Sequence, residues 1–83
     1  AFLPTIRVEG MDDPVLQVVE DATGEVVYTL RLQTTPEGTR YRPRVFALGR
    51  YTLRVGEPGT PRWRTIDGLE ARLEDQGELT VDL

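Results

Sequence analysis

The sequence predicts an all-β fold: one small antiparallel β-sandwich of about six to eight short strands. Apolar residues recur with a period of two and not 3.6 over most of the 83 residues. Turn residues (Gly, Pro, Asp) interrupt that alternation every ten residues or so, and no apolar-periodic run is long enough for a stable helix.

The first strand is expected at about residues 4–9, where Ile6 and Val8 alternate with Thr5, Arg7 and Glu9. Pro14 opens "VLQVVE", a second strand apolar on both sides over part of its length. Asp21 through Gly24 suits a hairpin turn with Gly in the left-handed position. "VVYTLRL" follows, placing Val26, Tyr28, Leu30 and Leu32 on one face. After the loop "TTPEGT", "RYRPRVF" sends Arg40, Arg42 and Arg44 one way and Tyr41, Pro43 and Val45 the other. Pro43 cannot donate to a ladder, so this strand is expected at an edge or locally unpaired there. Phe46 falls on the arginine side of that alternation, so a bulge is expected near Phe46–Leu48.

Gly49 makes a turn, and "RYTLRV" directs Tyr51, Leu53 and Val55 inward. "GEPGTP" breaks the sheet before "RWRTI", a short strand. The remainder reads as a hairpin, with Leu69, Ala71 and Leu73 on one arm, "EDQG" at the turn, and Leu79, Val81 and Leu83 on the other. A helical turn over residues 69–75 is the alternative the sequence leaves open.

The residues form a single domain spanning 1–83, expected to be a piece of a longer protein. There is no His, Cys, Lys, Ser or Asn, and all ten basic residues are Arg. The usual general base, the usual nucleophiles and the Schiff-base amine are therefore missing. A transition-metal site would lack imidazole and thiolate. No catalytic, metal or cofactor residue is assigned. Calcium could draw on Asp12–Asp13, Glu20–Asp21, or Glu74–Asp75 with Glu78, but none has the alternating acidic spacing of a calcium loop. No stretch is long and apolar enough for a membrane helix, so no membrane insertion is expected.

The net charge of −4 is segregated along the chain. Residues 1–39 and 65–83 each carry a net −5, whereas residues 40–64 carry +6. An overall acidic chain argues against a nucleic-acid partner.

"RPRVFALGRYTLRVGEPGTPRW" carries a G-x-Y-T-L-x-V element and resembles the closing strand–turn–strand of small transthyretin-like or carboxypeptidase-regulatory-like sandwiches. Together with "PVLQVVEDATGEVVYTLRL", it is similar to C-terminal segments of bacterial secreted proteins, including alkaline-phosphatase-D-like metallophosphoesterases. The likeness spans most of residues 14–70. It implies a non-catalytic accessory domain of a larger extracytoplasmic bacterial protein. It transfers no catalytic residue, because phosphoesterase metal ligands would lie in another domain.

The candidate interaction residues are Arg40, Arg42, Arg44, Arg50, Arg54, Arg62, Arg64 and Trp63. Guanidinium groups suit bidentate contact with carboxylates or other anions. The expected partner is a neighbouring domain of the parent protein or an acidic protein surface. A polysaccharide held by Trp63 and the arginines is the alternative. If Arg62 and Arg64 face water, alternation turns Trp63 inward, so the indole is expected in the core.

Overall fold

The computed structural model describes residues 1–83, which form seven strands and no helix. They are β1 (Thr5–Glu9), β2 (Val15–Glu20), β3 (Val26–Arg31), β4 (Thr39–Tyr41), β5 (Arg50–Gly56), β6 (Trp63–Glu70) and β7 (Glu78–Asp82). One sheet has the order β4-β1-β7, the other β3-β2-β5-β6. All pairs are antiparallel except β1 with β7. The small β-sandwich that the alternation predicts is therefore the fold.

The core lies between the sheets. Leu3, Ile6, Leu16, Val18, Leu53 and Val55 are fully enclosed, and Tyr51 closes one end. Each inward position follows from period two: Leu16 and Val18 in β2 face Val55 and Leu53 in β5. The Tyr51 hydroxyl donates to the Ala47 carbonyl four residues upstream, at 2.9 Å. This bond fixes the loop before β5 in the manner of a tyrosine corner. No buried side-chain polar atom is left without a partner.

The structure departs from the sequence expectations at several points. The "RYRPRVF" strand keeps its alternation but pairs as β4 only through Tyr41, at the edge position Pro43 implied. Beyond Tyr41 the chain runs beside Ala1–Leu3, where Leu3 N–H donates to Pro43 and Val45 N–H to Ala1. No bulge rescues Phe46, which stays on the arginine side, fully exposed. The register shifts lie elsewhere, at Val18/Val19 against β3 and at Tyr51/Leu53 against β6. The first of these leaves Val26 half outside.

The closing hairpin does not form. β6 runs on to Glu70, Ala71 and Arg72 bond Gly49 and Phe2, and β7 crosses to the other sheet, parallel to β1. Alternation fixes which face a strand buries, not which neighbour it pairs with. Val81 is buried in either arrangement, so the sequence signal is the same.

The connections define two poles. The lead-in to β1 and the loops 21–25, 42–49 and 71–77 meet at the first pole. The loops 10–14, 32–38 and 57–62 and the end of β7 meet at the second.

Candidate interaction surface

The seven candidate arginines do not share one face. Arg40 and Arg42 lie on the side of the three-stranded sheet and reach carboxylates, Arg40 to Glu78 at 2.7 Å and Arg42 to Asp75 at 3.9 Å. Arg40 stands directly opposite Arg7, a like-charge pair that Glu78 and Glu9 offset. Arg50 at the start of β5 faces Glu70 at 3.8 Å. These exposed pairs contribute about 0–1 kcal/mol each. The other four, Arg44, Arg54, Arg62 and Arg64, form no ion pair. Arg62 donates to the Gly10 carbonyl and Arg64 to the Asp82 carbonyl, both at the second pole.

Trp63 is not in the core, contrary to the inward orientation expected from its flanking arginines. In the β5·β6 register Val55 pairs with Arg64 and Gly56 with Trp63. Arg64 is therefore the residue on the inner side, and Trp63 lies on the outer face of the four-stranded sheet with Arg54 and Thr65. The cause is positional. β6 is an edge strand, so an inward arginine can leave through the gap beside it and still reach water and the Asp82 carbonyl. The Arg54 guanidinium carbon lies 5.2 Å from the Trp63 ring centroid, and Arg54 also bonds Gln17 at 3.1 Å. Trp63 is half-buried, against Gly56, whose missing side chain leaves room for the ring.

At the first pole the arginine row meets two phenylalanines. Phe2 pairs with both Arg44 and Arg72, which ties the lead-in segment to two loops. The Arg42 guanidinium carbon sits 4.2 Å from the Phe2 ring centroid and that of Arg44 5.6 Å, both within cation–π range. Ala1, Phe2, Arg44, Val45 and Phe46 line an open hollow of about 520 Å³. Phe46 is fully exposed, and Leu48 and Leu73, in loops at the same pole, are 65% and 78% exposed. The Tyr28 hydroxyl supports the rim from below, donating to the Arg44 carbonyl at 3.0 Å. Burial pushes the Tyr28 phenol well above its ordinary pKa, and the neighbouring Tyr41 phenol raises it further.

The sequence places Arg42 and Arg44 in this patch but misses Phe2 and Phe46. Its signal for Phe46 is the alternation itself, which puts that ring among the arginines. The acidic pairs weighed for calcium serve the chain locally. Asp13 exchanges two bonds with Thr34, Asp21 accepts from Thr52 and Asp75 from the Gly77 N–H. No three acidic side chains gather at one point.

Comparison with protein-family models, with curated proteins and with solved structures gives no match for this chain.

Proposed function

We propose that this chain is a non-catalytic interaction domain of a larger extracytoplasmic bacterial protein. It docks a neighbouring domain through the patch formed by Phe2, Arg42, Arg44 and Phe46. The observation that supports this most is Phe46, a phenylalanine wholly in solvent beside an arginine that has no carboxylate of its own. Aromatic residues and arginine are the side chains that dominate binding energy at interfaces. The lead-in segment Ala1–Phe2 lines the same hollow, so a domain preceding it would be held beside the patch at high effective concentration. The matching surface is apolar with an acidic rim, in keeping with Arg44.

The test compares thermal midpoints of the domain alone and joined to the polypeptide encoded immediately before it. Docking raises the midpoint of the joined form. Phe46→Ala with Arg44→Glu removes that rise and leaves the isolated domain nearly unchanged. Equal midpoints for the isolated and joined forms would refute the reading.

The outward placement of Trp63 beside Arg54 favours a second reading, a polysaccharide or other polyanion bound on the outer face of the four-stranded sheet. An indole and a guanidinium side by side suit a sugar ring bearing a carboxylate. A panel of neutral and acidic polysaccharides, read by Trp63 emission, tests it. Binding that Trp63→Ala abolishes without unfolding the domain would carry this reading over the first.

A further inference from the structure

We propose that the parallel pair β1·β7 is a mechanical clamp, which makes the domain resistant to force applied along the polypeptide. This rests on the reading above only in taking the domain as one segment of a longer polypeptide. It stands whether or not the first pole is covered.

β1 begins at the first pole and β7 ends at the second, and the two are hydrogen-bonded neighbours in register from Thr5·Glu78 to Glu9·Asp82. Tension along the polypeptide pulls β1 and β7 in opposite directions along a shared axis. The bonds of a parallel ladder lie across that axis at even spacing. They share the load and must yield together. Two further backbone bonds extend the ladder at its ends, Thr5 N–H donating to the Gly77 carbonyl and Leu83 N–H to the Glu9 carbonyl, each at 2.9 Å.

Both outer ends are also anchored. Before β1, Phe2 exchanges two backbone bonds with Arg72, and the Gln76 amide donates to the Phe2 carbonyl at 2.8 Å. After β7 begins, Arg64 holds the Asp82 carbonyl from the facing sheet. Ile6, Val8 and Val81 are buried beneath the pair, so sliding the strands would also drag apolar side chains through a packed core. An antiparallel terminal pair would bring both ends to one pole and open one bond at a time.

Single-molecule force spectroscopy tests this on the whole chain in two pulling directions. The first attaches handles at residues 1 and 83. The second attaches them at residue 1 and at Glu74→Cys, which is the sole thiol because the chain has no cysteine. Glu74 is exposed in the loop before β7, so this direction separates β1 and β7 from one end. The clamp requires an unfolding force several-fold higher end to end than between 1 and 74. A force that is equal or lower end to end overturns it. Either result leaves the docking reading untouched, since the isolated domain is pulled without its neighbour.

Discussion

The indole of Trp63 packs against the backbone of Gly56, its partner across the β5·β6 ladder, so closely that a Cβ at Gly56 would stand 2.6 Å from Cδ2 of the ring. The same Cβ would run into the Arg62 carbonyl oxygen, which accepts from Glu57 N–H. Gly56→Ala therefore has to lift the ring and disturb the turn before β6. Denaturant unfolding should show a loss of about 1–3 kcal/mol, the usual range for overpacking. Trp63 is the sole tryptophan, so its emission should shift to the red in the same variant. An unchanged stability and spectrum would mean that the ring does not rest on Gly56.

Arg64 points to the inner side of an edge strand and escapes to the Asp82 carbonyl at 2.9 Å. An inward charge on an edge strand obstructs pairing with a second edge. Arg64→Val removes that obstacle and supplies a good strand former. Size-exclusion chromatography should show concentration-dependent oligomers for the variant and none for the unaltered chain. A monomeric Arg64→Val would show that the edge is guarded by other means, such as the irregularity opposite Thr52.

Two phenols make the domain sensitive to alkali. Burial raises both Tyr28 and Tyr51 above the ordinary phenol value, with Tyr41 adding to the first and the Glu20 carboxylate to the second. The folded state thus keeps protons that the unfolded chain releases near about pH 10. Where the native state binds more protons, stability falls as pH rises. The contribution is complete below about pH 10 and is lost progressively above it. Urea midpoints measured across that range should decline, and Tyr28→Phe with Tyr51→Phe should flatten the decline. A flat profile in the unaltered protein would contradict the buried placement of these hydroxyls.

Asp13 has a positive φ of 45° and is held there by three hydrogen bonds to two residues. It exchanges bonds with Thr34 at 2.8 Å in each direction, and its carbonyl accepts from Arg31 at 2.8 Å. Asp13→Ala loses the side-chain bond and keeps an unfavourable backbone, a loss of about 1–2 kcal/mol. Asp13→Asn keeps an acceptor and tolerates the left-handed region, so it should be milder. Thermal unfolding of the two variants checks the order, and equal losses would discount the Thr34 exchange.

The seven-strand sandwich was legible because period two alone decides which residues face the core, as in Leu16, Val18, Leu53 and Val55. The pairing of β7 was not legible. Leu79 and Val81 alternate in the same way whether their partner is β6 or β1, and only assembly of the whole sheet distinguishes the two. The side of Trp63 was not legible, because flanking arginines mark the outer face only where they cannot reach water from the inner one. At an edge strand the long side chain makes that marker unreliable, and Arg64 crosses the inner side to reach Asp82. At the first pole, Arg42 and Arg44 were legible as a row, whereas Phe2 joins them through contacts between residues about forty positions apart in the chain.

The proposed docking requires the patch around Phe46 to be covered wherever a neighbouring domain is joined to this one. Hydroxyl-radical footprinting of the isolated domain and of the domain within its full polypeptide reads this directly. Phe46 should be among the fastest-modified residues in the isolated domain, because its side chain is wholly in solvent. In the full polypeptide its modification should fall several-fold, together with that of Phe2, while Leu30 and Trp63 on the other sheet stay unchanged. Equal modification of Phe46 in both forms would contradict the claim that this pole receives a neighbouring domain.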